Sequence, residues 1–359
     1  MQGRIKIWQG ILFCSVSTLT AISFPEITFA NARITSLTPN AIVVRDGASQ
    51  RARFGMVIKQ GDLIKPEIGS VLEIMCTDGQ VRTVGSGTFS GLPQICPQSV
   101  RIASVTRGDR DPSNTRSEDD FLKYLGLRFY TVNLLDAKQV IRWQPRSGTT
   151  GYQVQVGTRQ KPNLLDRQVN CPKVSYVGDQ PLEADTIYNL LVKSVGVNNS
   201  EFRLRFKVLS EKSRKEVSNS IAVIEKNQGL PEIAKAIALA DIYNDYGLAE
   251  QAIAVLEKAS QSGQSVAIVE QMLGNSYLQI GLREIAELHY RRALDLAKSA
   301  QNPEVVAEAE IGLAKVFVVN GNKEEAKKYL ELALANYTSL KDNAKIQQVG
   351  EWISKVLDS

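Results

Sequence analysis

The chain of 359 residues contains a single histidine, His289. One imidazole leaves no supporting pool for a Ser–His–Asp or Cys–His site, and a His-based zinc cluster cannot form. Cysteine is scarce too, at four residues: Cys14, Cys76, Cys96 and Cys171. A catalytic thiol has only His289 to activate it. No G-x-x-x-x-G-K-S/T loop occurs, and no G-x-G-x-x-G follows a strand, so the usual phosphate cradles are missing. Gly85-Ser86-Gly87 is too short for one and reads as a bend. Charge is not lopsided, at +5 with acids and bases interleaved, as in Glu211-Lys212-Ser213-Arg214-Lys215-Glu216. That pattern is a solvated surface rather than a nucleic-acid track. The expectation is a protein with no enzymatic activity, no cofactor and no nucleic-acid partner.

Long apolar runs are also few. The longest lies at the start, from Ile11 to Phe24, preceded by Arg4 and Lys6 and followed by Ala30-Asn31-Ala32. A positive start, a short apolar stretch and an A-x-A site form the pattern of an export signal, here residues 1–32. The run is shorter than the roughly 20 residues that a spanning helix needs. Phe13 stands before Cys14 where a lipoprotein signal has a small residue, which argues against lipidation. With the signal removed no membrane span is expected, and the site of action is the periplasm or cell surface of a bacterium.

Composition is otherwise that of a globular protein, 43% hydrophobic and 23% charged. Residues 33–105 read as all-β. Short Val, Ile and Thr runs are bounded by Gly, Asp and Pro, and Leu72, Ile74 and Cys76 alternate with Val71, Glu73 and Met75. Asp78-Gly79 marks a hairpin turn, with Val81–Val84 as its return strand. A Cys76–Cys96 bridge is expected in an oxidising compartment, with two buried thiols as the other reading. Cys171 is left over, either buried or paired between chains. Residues 106–120 are polar and Pro- and Gly-bearing, a linker, and the Arg107-Gly108-Asp109 triplet within them is a chance tripeptide.

Residues 121–210 alternate again. Tyr152, Val154 and Val156 oppose Gln153 and Gln155; Phe202, Leu204, Phe206 and Val208 oppose Arg203, Arg205 and Lys207. One buried and one wet face point to an antiparallel sandwich. Trp143 on an early strand is expected in the core rather than as a sugar-stacking platform. Residues 211–228 connect to the last part, and Val217, Ile221 and Ile224 have helical spacing.

The final segment, 229–359, repeats at an interval of 34 residues: Tyr243 and Tyr277, Gly247 and Gly281, Ala252 and Ala286, Leu256 and Tyr290, Ala259 and Ala293. A third unit offers Phe317, Gly321, Ala326, Leu330 and Ala333, with extra residues expected to lengthen the joint around Ala300–Pro303. Fixed small residues at such a period mark stacked helical hairpins. Ile346, Val349, Ile353 and Val356 give an amphipathic last helix, the expected cap. His289 is expected at the surface of a second hairpin helix.

Three resemblances follow from these residues. The run Ala41–Gly47, Gln60-Gly61-Asp62-Leu63-Ile64, Leu72-Glu73-Ile74 and Thr77-Asp78-Gly79-Gln80 resembles the FecR-like domain of bacterial envelope proteins. Leu182–Tyr188 resembles the tyrosine corner of fibronectin type III and related sandwiches. The segment 229–359 looks like three tetratricopeptide repeats plus a cap. Together they imply a multidomain β + α chain: an all-β FecR-like domain, a sandwich-like module, then an all-α solenoid. The tetratricopeptide resemblance implies a partner-binding groove on the first helix of each hairpin, at Asp241, Asn244, Asp245, Gln271, Asn275, Gln279, Glu308 and Lys315. The carboxylate clamp of chaperone-binding relatives needs a Lys where Ile237 stands, so that ligand class is not expected. The function read from sequence is an exported scaffold that grips a protein or peptide in its groove, the β modules adding a second contact. A cell-wall polysaccharide binder and a periplasmic signalling component of the FecR type are the alternatives.

Overall fold

The computed structural model describes residues 32–38, 40–76, 80–96, 130–136, 139–145, 148–176, 178, 180–196, 201–261 and 266–358. The expected signal segment up to residue 31, the expected linker at 106–120 and the expected Asp78-Gly79 turn lie outside the described residues.

The first module contains β1 (Ala32–Thr38), β2 (Ala41–Arg45), β3 (Ala48–Arg51), β4 (Val57–Ile58), β5 (Leu63–Pro66), β6 (Val71–Met75), β7 (Val81–Val84), β8 (Ser90–Gly91) and the single turn α1 (Leu92–Ile95). They form two four-stranded sheets, ordered β4-β1-β6-β7 and β3-β2-β5-β8. Inward residues of both sheets, Ile34, Val43, Ile58, Ile64, Leu72 and Ile74, close a core that belongs to this module alone. Asp46 and Gly47 turn β2 into β3 with φ of 48° and 77°, the primed turn that matches strand twist. β6 and β7 pair antiparallel on either side of the expected hairpin turn. Cys76 and Cys96 are bridged, their Cα atoms 5.7 Å apart.

The second module contains β9 (Tyr130–Leu134), β10 (Val140–Arg142), β11 (Thr149–Gly157), β12 (Leu165–Val169), β13 (Lys173–Ser175), β14 (Ile187–Gly196) and β15 (Glu201–Val208). A five-stranded sheet, β12-β11-β14-β15-β9, faces the pair β10-β13. β9 runs parallel to β15, and the other pairs are antiparallel. Tyr152, Val154, Val156, Leu204, Phe206 and Val208 all point inward, as their alternation requires. The backbone N–H of Glu183 donates to the Tyr188 hydroxyl at 2.7 Å, fastening the entry to β14. Trp143 is 2% exposed and meets Tyr152 edge-on at 5.4 Å. That burial closes it to any sugar.

The helices follow: α2 (Glu211–Lys226), α3 (Glu232–Asp245), α4 (Ala249–Gln261), α5 (Ala267–Gln279), α6 (Arg283–Ser299), α7 (Pro303–Val319), α8 (Lys323–Leu340) and α9 (Asn343–Asp358). Helices α3 to α8 make three hairpins, and α9 packs on α8. Gly247, Gly281 and Gly321 occupy the three hairpin turns with φ of 67°, 79° and 76°, a conformation that a side chain would strain. The spaced residues Ala252, Leu256, Ala286, Tyr290, Ala293, Ala326, Leu330 and Ala333 are fully buried or nearly so. Tyr290 fills a socket between α5 and α7. A Cβ on Gly274 or Gly312 would lie 2.6 or 2.2 Å from its ring. The chain is thus a β region followed by an all-helical solenoid.

One local expectation is corrected. The extra residues of the third unit do not stretch a joint, because α6 and α7 run 17 residues each against 13 for α4 and α5. The sequence there is rich in Ala, Leu, Glu, Lys and Arg, good helix formers, so the insertion extends helix. Asn302 then caps α7 through Val305 N–H, with Pro303 at the first helical position.

Candidate partner-binding groove

Helices α3, α5, α7 and α9 line one face of the solenoid, and the first β module is docked on that face. Each of these helices takes part in the docking. Arg33 of β1 pairs with Asp241 of α3 at 2.9 Å. Gly55 sits over Ile268 of α5, close enough that a Cβ on Gly55 would lie 3.1 Å from the Ile268 side chain. Arg45 of β2 approaches Glu304 of α7 at 3.9 Å. At the start of α9, Asp342 receives Lys59 at 2.5 Å and Arg45 at 3.8 Å. At one end, Met75 and Val81 pack with Ile224 of α2, Leu230 of the connection, and Ala234 and Ala238 of α3.

Arg45 is the pivot of this surface. Its Nε donates to Asp62 Oδ1 at 3.0 Å, and its Nη2 to Asp62 Oδ2 at 2.7 Å and to the Val57 carbonyl at 2.8 Å. Arg45 and Asp62 are both buried. Burial opposes the Arg45 charge, but the Asp62 hydrogen bond and the fields of Glu304, Asp62 and Asp342 outweigh it and raise its pKa. Glu304 has the opposite balance. Burial pushes its carboxyl above the ordinary carboxylate range despite Arg45 and Lys59 nearby.

The sequence-predicted groove residues occupy α3, α5 and α7, and the structure gives them unequal surroundings. Asp241 holds Arg33. Asn244 accepts from the Ser276 hydroxyl at 3.1 Å, tying α3 to α5. Gln271 is buried. Asn275 accepts from the Tyr290 hydroxyl at 2.7 Å. Glu308 accepts from the Tyr337 hydroxyl at 2.6 Å and pairs with Lys345 at 3.0 Å. Burial alone would raise the Glu308 carboxyl, but Lys345 and Tyr337 bring it down to about 2. Asp245 is exposed, and Gln279 and Lys315 are half-buried. Ile237, at the clamp position, is core.

Sequence reasoning overlooked Glu304, Asp342, Arg33, Arg45 and Lys59. Met75, which alternates with the core residues of β6, is covered and buried by the helices. A signal was present. The runs Ala267-Ile268-Val269 and Val305-Val306-Ala307 are apolar on every side, and a helix apolar all round is covered all round. His289 differs from expectation as well. Its side chain is 12% exposed, its Nδ1 lies 2.7 Å from Glu270 Oε2, and its ring stacks on Tyr277. The buried Glu270 carboxylate draws it inward, and His289 in turn holds the Glu270 pKa below its ordinary value against the effect of burial. Cys171 carries a free, exposed thiol on the β12–β13 connection.

The second β module reaches the solenoid elsewhere. Arg142 of β10 forms a forked pair with Glu250 of α4 at 2.5 and 2.9 Å. Asn133 donates through its side chain to the Tyr246 carbonyl at 2.8 Å and through its backbone to Gly247 at 3.2 Å. Gln139 exchanges hydrogen bonds with Gln251. Among the described residues no group of three or more His, Cys, Asp or Glu side chains could hold a metal ion. No described helix is long and apolar enough to cross a membrane.

These features define a class of architecture, two β modules on a helical solenoid, without assigning it to a family. No family model matches the chain. No curated protein matches it either. Among solved structures, two crystal structures of MamA align at 19% identity with TM-score 0.29, covering 41% of this chain and 91% and 85% of theirs. A crystal structure of BtubC (BKLC) from P. vanneervenii aligns at 16% identity with TM-score 0.30, covering 41% of this chain and 74% of its own. Likeness at that level defines no family.

Proposed function

We propose that the chain is a non-enzymatic scaffold that binds protein. One observation carries this reading: the face formed by α3, α5, α7 and α9 already holds a folded protein surface through paired charges and apolar contact. A curved row of hairpin helices suits that task, because each repeat adds a strip to one continuous surface. The 34-residue landmarks and the glycine turns support reading the solenoid as tetratricopeptide repeats. The strand order of the second module and the Tyr188 fastening support a fibronectin-like sandwich. The FecR-like reading of the first module rests on its sequence motif, whose Arg45 and Asp62 form the buried pair at the helices. The Cys76–Cys96 bridge and the N-terminal segment support export to the periplasm or cell surface.

Cross-linking pull-down with the full chain as bait tests this. A specific protein should be recovered, with cross-links on the helices or on the solvent face of the first module. Recovery of nothing beyond what an unrelated exported bait retains would overturn the reading. A fragment of the helices alone is a poor bait, because their core continues into the second module.

A further inference from the structure

The face that is built to hold protein is occupied by the chain's own first module. Its basic side chains Arg33, Arg45 and Lys59 meet the acidic Asp241, Glu304 and Asp342 in turn. We propose that this module is an exchangeable occupant, and that the groove takes in its place a basic protein segment whose Arg or Lys side chains reach the same three carboxylates. The inference rests on the scaffold reading and adds to it the chemistry of the partner and its control.

Three observations support exchange. The first module closes its own core and carries its own disulfide, so it can leave the helices with its interior intact. The side chains of Arg33 and Lys59 pair with carboxylates on the helices, Asp241 and Asp342. Arg45 also pairs with Asp62 of its own module. Residues 97–129 separate the module from the next described strand, 33 residues that reach about 110 Å when extended. Because it belongs to the same chain, the module competes at a local concentration no separate weak ligand matches, so in the resting chain it holds the groove. The same advantage disfavours a second copy as the occupant at micromolar concentration.

Gly55 and Ile268 supply a lock. A Cβ on Gly55 would lie 3.8 Å from the Ile268 Cβ, within the range that a disulfide spans. The full chain bearing Gly55→Cys and Ile268→Cys is titrated with a fluorescein-labelled peptide of alternating arginine and alanine. Beside it are titrated the Arg33→Glu/Lys59→Glu chain and the Asp241→Lys/Asp342→Lys chain. Oxidised, the lock should abolish peptide binding, and reduction should restore it. Reversal of the module's charges should tighten binding about tenfold, since the competitor then repels the groove. Reversal of the groove's charges should remove binding. Hydrogen exchange on α5 reports undocking independently and should rise in both charge-reversed chains. Equal peptide affinity in the oxidised and reduced lock overturns the proposal. So does a charge-reversed module that stays docked, or one that undocks without any gain in affinity; these two results decide the matter even if the lock fails to fold. If the oxidised lock still captures the same protein partner as the unmodified chain, exchange is wrong and the scaffold stands. If neither form captures protein, both readings fall.

Discussion

In the second β module, Trp143, Leu190 and Phe206 belong to the same buried cluster as Ala252, Leu273 and Leu313 of the helices. In the first, Ile34, Val43, Ile64 and Leu72 form a cluster of their own, and the helices are met by Phe54, Gly55, Met75 and three basic side chains. The two modules are both β sandwiches fused to one solenoid, yet one shares its main core with it, whereas the other keeps its own core and meets the helices through charges and a small cluster around Met75. A shared core cannot be parted without exposing apolar area at about 25 cal/mol per Å². The first module can leave with its own core closed, at the cost of separating a few largely buried ion pairs and one small apolar cluster around Met75. Attachment, not fold type, decides which module is a permanent part.

The sharpest way to break this contrast is Asp62→Ala. It removes the nearest carboxylate from the buried Arg45 guanidinium, leaving Glu304 and Asp342 at 3.9 and 3.8 Å, which costs up to about 3–5 kcal/mol. The loss should fall on the first module and its docking, while the unfolding transition of solenoid and sandwich stays in place. Calorimetry of the full chain separates the two. A single transition that shifts as a whole would show that the modules are equally integral.

Cys76→Ser comes next. Opening a bridge that spans 20 residues should cost about 3 kcal/mol, again confined to the first transition. Urea melts followed on the β signal and on the helical signal should diverge.

Gly312→Ala strikes the other side of the comparison. Its Cβ would lie 2.2 Å from the buried Tyr290 ring, an overpacking worth about 1–3 kcal/mol. The solenoid and the sandwich should be destabilised together, and Tyr290→Leu in the same chain should recover part of the loss.

The smallest effect is in pH. The Glu308 carboxyl is depressed to about 2, so its contribution is present above the ordinary carboxylate pKa and is lost as the pH falls toward 2. Glu304, whose pKa is raised, acts with the opposite sign: acidification through its titration relieves a buried charge. Glu308→Gln should therefore flatten the acid side of the stability profile, and Glu304→Gln should steepen it, as read from thermal melts between pH 2 and 6.

Much of the helical array is legible in the chain because its constraints are local and periodic. A left-handed turn needs Gly at 247, 281 and 321, and close helix crossings need Ala at 252, 286 and 326. Alternation likewise exposes the inward faces of β11 and β15. The groove itself is only half legible. Position within a repeat places Asp241 and Glu308 on the first helices, but it does not reveal that Arg33 lies opposite Asp241, a partner 208 residues away. The clue carried by Ile268 and Val305, apolar where a wet groove is expected, says that something covers the helices and not what.

The sequence by itself determined a β region before the helices, the hairpin period and the inward faces, and it favoured the Cys76–Cys96 pair over two free thiols, because each follows from residues near in sequence. Only the tertiary structure decided that the first module lies on the helices, that Arg45 and Asp62 are buried at that contact, and that His289 turns in to Glu270. Those outcomes depend on shape and charge meeting across hundreds of residues, and no local pattern encodes which surfaces will meet.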